Sequence, residues 1–215
     1  METENVDLVI NGAGWFGLAA ANTAVEIDPS TNLVILDSAT SIGGVWGQKR
    51  LYADLRTNNV VESYQFSDFP MTADRFDVAA GQQMSGPAVH DYLQAYADTF
   101  GVGEKVRLKS TVNEASYESD KHWTLEYTAA GEGTFRFIRT AKLIIATGLH
   151  LAAHSAQIVE AGLLQSTNFT RAPACIPNES LLQGDTTVTV LGGTKSAWMQ
   201  RTLARPGVHR SIGLK

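Results

Sequence analysis

The sequence predicts an α/β fold: a parallel sheet, an antiparallel meander inserted before its last strand, and the opening of a second βα unit. Three observations predict it. Residues 6–36 read as strand, glycine turn, helix and strand. Residues 105–140 switch to alternating apolar and polar positions. A further strand, followed by Gly192-Gly193, begins near residue 186.

Residues 6–10 (VDLVI) are apolar and β-branched and are bounded by Asn11-Gly12, as a buried strand is. Residues 15–27 are rich in alanine and stop at Asp28-Pro29, which reads as a helix ended by proline. Residues 33–36 (LVIL) form a second buried strand that ends at Asp37. Such βαβ units build parallel sheets with right-handed crossovers. Residues 40–75 have no clean period and carry Gly43, Gly44, Gly47 and then FSDFPM. They read as a long structured loop with short helical pieces, and loops of that length in compact domains are usually functional.

Gly86-Pro87 precedes Val89, Tyr92, Leu93, Tyr96 and Phe100, which share one face of a helix. Pro87 suits the first turn, and the aromatic stripe is read as core packing. KVRLKSTV, HWTLEYT and TFRFIRT alternate like a small antiparallel meander with one wet face, and residues 129–133 make the turn between the last two. Residues 141–146 (AKLIIA) carry apolar residues on both faces, as expected of a buried strand returning to the parallel sheet. Residues 149–187 lack a period and read as a linker. Residues 186–191 read as a strand, Gly192-Gly193 as a turn, and residues 195–204 as a helix ended by Pro206-Gly207.

Composition excludes several classes. The chain has 215 residues, 44% apolar and 18% charged, with a net charge of −5. That argues against nucleic-acid binding by bulk electrostatics and against a polybasic membrane-surface protein. The single cysteine, Cys175, excludes an internal disulfide and a multi-cysteine zinc site, and reads as a small hydrophobe in a loop. The acidic start METENVDLVI lacks the basic region and cleavage site of a signal peptide. No apolar run approaches the ~20 residues that span a membrane. A cytoplasmic protein is expected, so the sequons at Asn168 and Asn178 are taken as chance. The five histidines do not cluster as metal ligands, and His90, on the amphipathic helix, is expected to be solvated or capped.

The first chemical motif is Gly12-Ala13-Gly14-Trp15-Phe16-Gly17. It follows a strand, opens a helix, and precedes Asp37, which lies 20 positions after Gly17 at the end of the second strand. This is the context of a dinucleotide-binding, Rossmann-like unit. Gly12 permits the tight turn, Gly14 lets the backbone approach a pyrophosphate, and Gly17 lets the helix pack closely. The helix N-terminus offers free N–H groups to phosphate. Asp37 can accept hydrogen bonds from ribose hydroxyls, and its charge would repel a 2′-phosphate, so this first site should not hold NADP. The second motif is Ser41-Ile42-Gly43-Gly44-Val45-Trp46, where the glycine pair allows close approach and Trp46 offers a flat face.

GAGWFG, LVILD, SIGGVW, the segment Tyr52-Ala53-Asp54-Leu55-Arg56-Thr57-Asn58, FSDFPM and ATG together resemble the flavin-containing monooxygenases, the fungal branch in particular. The resemblance covers residues 6–148. It implies an FAD-binding, glutathione-reductase-like architecture with two dinucleotide sites. By that resemblance, Gly12, Gly14, Gly17 and Asp37 bind the ADP half of FAD, and Gly44, Val45 and Trp46 run along the same cofactor. Asn58 falls near the flavin ring, where oxygen is activated. Val112 meets the adenine through its backbone, and Gly148 belongs to the turn that closes the FAD domain. The ester-forming branch carries F-x-G-x-x-x-H-x-x-x-W, which is missing here. His150 and His154 stand outside that frame. Attack on a soft N or S atom, or a related oxidation, is favoured accordingly.

The third motif, residues 190–197 (VLGGTKSA), resembles the family's NADP fingerprint, with Thr194 for the middle glycine and Ala197 for the last. Gly192, Thr194 and Lys195 are its NADPH candidates; a purely structural strand–turn–helix is the alternative. The P-loop order is not met. The implied organisation is an FAD-binding domain over 1–148, a linker over 149–187, and the incomplete start of an NADP-type domain over 188–215. Against the family pattern the chain stops one βα step into the second domain, so a homo-oligomer or partner chain is expected to complete the site. The implied function is an FAD-dependent oxidoreductase that inserts one oxygen atom of O₂ into a small molecule, such as a specialised metabolite, using NADPH. The alternative is a truncated, non-redox protein that binds a nucleotide or small molecule on the same scaffold.

Overall fold

The computed structural model describes residues 3–52, 54–129, 133–148, 188–191 and 210–213. Two compact units divide the chain, Met1–Leu151 and Ala152–Lys215. The first holds a six-stranded sheet. Its parallel half contains β1 (Thr3–Asn11), β2 (Leu33–Leu36), β5 (Val106–Arg107) and β8 (Phe135–Ile145), and its antiparallel half adds β6 (Ser110–Tyr117) and β7 (Trp123–Ala129). The strand order is β5-β2-β1-β8-β7-β6. Helix α1 (Trp15–Ile27) crosses from β1 to β2, as the βαβ pattern predicts.

Strand alternation splits the core in two. Leu8, Ile10, Leu33 and Ile35 pack with α1 and with α3 (Gly86–Thr99). Val9, Val34 and Leu36 point the other way and pack with Leu125, Tyr127 and Ile138 of the meander. On α3 the aromatic stripe is core, as expected: Val89, Tyr92 and Leu93 are fully buried and Tyr96 is 2% exposed. Ser85 caps α3, its hydroxyl accepting from the Ala88 N–H at 3.3 Å.

Three expectations need correction. KVRLKSTV is two strands: β5 pairs in parallel with Ile35 and Leu36, and β6 begins at Ser110. The turn between them puts Lys109 at φ +55°, and alternation alone does not distinguish one strand from two joined by such a turn. Residues 141–145 return to the parallel sheet beside β1 as expected, but not as a separate strand. β8 runs unbroken, pairing with β7 through Phe135–Thr140 and with β1 through Phe137–Ile145. Its end is not buried on both faces, since Ile144 is 37% and Ile145 69% exposed. Finally, residues 40–75 hold a strand. β3 (Arg56–Val60) pairs with β4 (Gln83–Ser85) as a small ribbon, and a short helix, α2 (Ala73–Phe76), follows it along the chain. β3 escaped the hydrophobic pattern because its buried residue is polar. Thr57 donates its hydroxyl to the Asn59 carbonyl at 2.7 Å and accepts from the Met84 N–H at 3.0 Å.

In the second unit, β9 (Val188–Leu191) and β10 (Arg210–Gly213) pair in parallel. The first corresponds to the predicted strand; the second was not anticipated. Cys175, Asn168, Asn178, the linker and the helix expected over 195–204 lie outside the described residues. No helix of the described residues is long and apolar enough to cross a membrane.

Candidate functional site

The parallel strands β1, β2 and β8 end side by side at Asn11, Leu36 and Ile145. Ligands of doubly wound sheets bind outside such carboxyl ends. Gly12 turns the chain there, with φ +115° and its N–H donated to the Leu36 carbonyl at 2.7 Å. A Cβ on Gly12 would stand 2.4 Å from the Ala146 carbonyl oxygen, and one on Gly17 would stand 1.8 Å from the Gly12 carbonyl oxygen. Both positions exclude a side chain for packing reasons alone.

Gly14 and Gly44 differ from these, because they face each other. A Cβ on Gly14 would meet the Gly44 Cα at 3.5 Å, and one on Gly44 would meet the Gly14 Cα at 3.1 Å. The Gly43 N–H donates to the Ala13 carbonyl at 3.0 Å and fastens the second motif to the first. Gly14 is also the N-cap of α1, with no side chain to cap it and no acidic residue in the first turn. The first helical bond there runs from the Leu18 N–H to the Gly14 carbonyl at 3.0 Å, so the preceding amides are left for a ligand. An anion at such a terminus gains typically ~0.3–1 kcal/mol from the helix dipole.

Asp37 is tied into the same turn. Its Oδ2 accepts from the Ala13 N–H and its Oδ1 from the Ala39 N–H, each at 2.7 Å. A carboxylate has about four acceptor positions, so capacity remains for ribose hydroxyls. The Asp37 N–H donates to the Arg107 carbonyl at 3.1 Å, and its carbonyl accepts from the Ser110 N–H at 2.8 Å. That second bond brings the start of β6 to the site, and Val112, half-buried, lies two residues further on. Beside Asp37 a cavity of about 260 Å³ is lined by residues 38–41, Gly44, Gly47, Lys49 and Arg50. The two cations suit an anionic or phosphate-bearing ligand.

The Trp46 Nε1–H donates to the Tyr64 hydroxyl at 3.0 Å, while Val45 next to it is 68% exposed. Burial raises the Tyr64 phenol above its ordinary pKa, partly offset by the Trp46 donor, so it stays neutral and can accept. Tyr64 also packs on Trp15, ring centroids 4.7 Å apart. Under it, the Tyr92 hydroxyl accepts from the Phe66 N–H at 2.7 Å and donates to the Phe69 carbonyl at 2.5 Å. Burial pushes Tyr92 up to about 12. This phenol closes the FSDFP segment into a turn, and that turn reaches α1 through Asn22, whose amide donates to Asp68 at 2.9 Å.

The structure thus gathers Gly12, Gly14, Gly17, Asp37, Gly44 and Trp46 at the carboxyl ends of the parallel strands, with Val112 joined through Ser110. Gly148, at φ +82° and exposed, follows the end of β8, where the Ala146 N–H donates to the Asn11 carbonyl at 2.8 Å. Asn58 is exposed on β3, and among the described residues no hydrogen bond ties it to the glycine turns. Gly192, Thr194 and Lys195 lie outside the described residues. His90 is half-buried, and its buried Nδ1 has no partner among the described residues, so there this nitrogen is neither solvated nor capped as the sequence suggested. Among the described residues no cluster of His, Cys, Asp or Glu could hold a metal ion. Sequence reasoning missed Trp15 and Tyr64. Their only signal was an aromatic beside each motif, and nothing in the sequence paired them.

Residues 5–157 match the model of the flavin-binding monooxygenase-like family. An FAD-dependent monooxygenase of Aspergillus sclerotiorum is 38% identical over 146 residues, 66% of this chain and 24% of that protein. One of Pyrenophora dematioidea is 36% identical over 150 residues, 66% of this chain and 26% of that protein. The chain therefore spans about a quarter of the length of these relatives. Among solved structures, cyclohexanone monooxygenase with cyclohexanone bound superposes with a TM-score of 0.71 at 21% identity, covering 100% of this chain and 39% of that one. The S-allyl-L-cysteine S-oxygenase of Allium sativum superposes with a TM-score of 0.59 at 22% identity, covering 69% of this chain and 37% of that one. At these identities the superpositions show the fold.

Proposed function

The chain belongs to the flavin-binding monooxygenase-like family, and on that premise we propose that it holds FAD for the insertion of one oxygen atom of O₂ into a small molecule, with NADPH as electron source. The observation that supports this most is the apposition of Gly14 and Gly44 beside the uncapped start of α1. Two side-chain-free backbones packed against each other leave the amides at the start of α1 open to a pyrophosphate laid across them at the carboxyl ends of the parallel strands.

In this reading Gly12 and Gly17 shape the turn, Gly14 and Gly44 admit the pyrophosphate, and Asp37 takes the ribose with its remaining acceptor positions. Val112 offers backbone to the adenine, Val45 and Trp46 line the cofactor, and Gly148 turns the chain away beside it. Asn58 is assigned to the flavin ring, and Gly192, Thr194 and Lys195 to NADPH. Residues 1–148 form the FAD-binding domain, 149–187 the linker and 188–215 the start of the NADP-type domain. When bound, FAD supplies the reaction with O₂; the chain binds it, orients it and keeps water from it. The relatives' fungal sources support a specialised metabolite as substrate, and the absent ester-forming fingerprint favours a soft N or S atom as the point of attack.

The test is the visible absorbance of the purified chain with and without added FAD, and then with NADPH. The reading expects a flavin spectrum that bleaches on adding NADPH. A flavin spectrum indifferent to NADPH removes the NADPH half of the proposal. No retained flavin at any FAD concentration overturns it. Repeated across protein concentrations, the titration also shows whether a second copy contributes to the site.

A further inference from the structure

Tyr64 belongs to neither glycine motif, yet it touches one aromatic from each. Trp15 follows Gly14 in the first motif, and its ring lies 4.7 Å from that of Tyr64 at 50°. Trp46 closes the second motif, donates its indole N–H to the Tyr64 hydroxyl at 3.0 Å, and meets the ring edge-on at 6.1 Å and 76°. Between these two tryptophans lies the Gly14–Gly44 apposition, where a Cβ on Gly44 would already be 3.1 Å from the Gly14 Cα. The two backbones are in van der Waals contact there, so a shift of a few tenths of an ångström in either loop changes the surface they jointly present to a ligand. Tyr64 is itself held from below. Its N–H donates to the Val61 carbonyl at 3.0 Å, and two residues on, the Phe66 N–H is held by the Tyr92 hydroxyl.

We propose that Tyr64 is a positioning residue: its hydroxyl anchors Trp46 while its ring anchors Trp15, and together these contacts set the distance between the two glycine loops and hence the affinity for FAD. The proposal rests on the FAD reading of the site. Tyr64 does not touch the cofactor in this account; it acts through Trp46. Removing the hydroxyl keeps the ring on Trp15 and leaves the half-buried indole N–H without its acceptor.

The experiment is a double-mutant cycle on the full chain, reading the FAD dissociation constant by flavin fluorescence. Tyr64→Phe is expected to weaken FAD about fivefold, the factor carried by one net hydrogen bond of about 1 kcal/mol. Trp46→Phe removes the donor, so adding Tyr64→Phe to it should change the affinity by less than about twofold. A merely structural role would lower the melting temperature and leave the dissociation constant of the folded chain unchanged, and that result overturns the proposal. A fivefold effect that persists in the Trp46→Phe background overturns it too, because the hydroxyl would then act without the indole. Should Tyr64→Phe fail to fold, Tyr64→Leu takes its place in the same cycle: a loss of FAD affinity at least fivefold smaller in the Trp46→Phe background supports the anchor, and an equal loss in both backgrounds, or none, overturns it. A wild-type chain that takes up no FAD defeats the reading of the site, and this proposal with it.

Discussion

Replacing Gly17 by alanine sets two effects of opposite sign against each other. Gly17 lies in the first turn of α1, and alanine is favoured over glycine in a helix by about 0.8–1.0 kcal/mol. Propensity alone therefore predicts a more stable protein. The added Cβ, however, would stand 1.8 Å from the Gly12 carbonyl oxygen, against the ~3.5–4.0 Å of a comfortable carbon contact. The obstacle is backbone, and Gly12 is itself pinned by its bond to Leu36 and by the Ala146 carbonyl on its other side. Helix and turn must separate by roughly 1–2 Å, and overpacking of this kind costs typically ~1–3 kcal/mol or more. At 1.8 Å from backbone the upper end of that range applies, so the repulsion wins by about 2 kcal/mol. Urea unfolding followed by circular dichroism reads it as a lower midpoint at unchanged slope. Gly14→Ala is the contrasting case. Its Cβ would stand 3.5 Å from the Gly44 Cα, an ordinary contact, so stability should change by no more than about 0.5–1 kcal/mol. The same methyl occupies the approach of the pyrophosphate, so FAD binding should fall at least tenfold. A Gly17→Ala protein as stable as wild type, or a Gly14→Ala protein that binds FAD normally, would refute the division of labour drawn here.

Other perturbations have equally definite outcomes. Tyr92→Phe leaves the buried Phe66 N–H without its acceptor and should cost about 1–3 kcal/mol in urea unfolding; an unmoved midpoint contradicts the clamp. Asp37→Asn turns an NH₂ toward one of the two amides the carboxylate now accepts, so stability should drop by about 1–3 kcal/mol and FAD binding should weaken with it, as a combined urea and fluorescence titration would read. Glu4 is held below the usual carboxylate range chiefly by its hydrogen bond from Arg107. Its stabilisation is therefore complete above the ordinary glutamate value of about 4.3 and is lost as pH falls through the lowered one. The pair is largely exposed, 37% for Arg107 and 41% for Glu4, so no more than about 1 kcal/mol is at stake. Glu4→Gln should flatten the acid limb of urea midpoints measured between pH 7 and pH 3, and an identical limb in both proteins rules the pair out as its cause.

What the sequence made legible follows from where its signals are local. The βαβ opening emerged with α1 at Trp15–Ile27 and β2 at Leu33–Leu36 because apolar runs, glycines and Pro29 all mark the same boundaries. β3 stayed hidden because Thr57 satisfies its burial with hydrogen bonds rather than hydrophobicity. The split of β5 from β6 was hidden because it depends on Lys109 adopting a left-handed turn, which lysine does not announce. At the site, the glycines and Asp37 were legible from spacing. The second task of Asp37, holding the Ala13 amide, was not, since it needs the turn's actual geometry. Tyr64 was invisible for a related reason: Trp15, Trp46 and Tyr64 are far apart along the chain, and only the folded FSDFP turn brings them together.

If the paired glycine turns hold the ADP half of FAD, ADP and FMN must compete for the site very differently. Competition measures this most directly: bind FAD to the purified chain, then titrate with ADP and, separately, with FMN. ADP is expected to displace FAD, and FMN, which lacks the adenosine half, to bind far more weakly than FAD. FMN binding as tightly as FAD, or FAD that ADP cannot displace, would contradict that expectation.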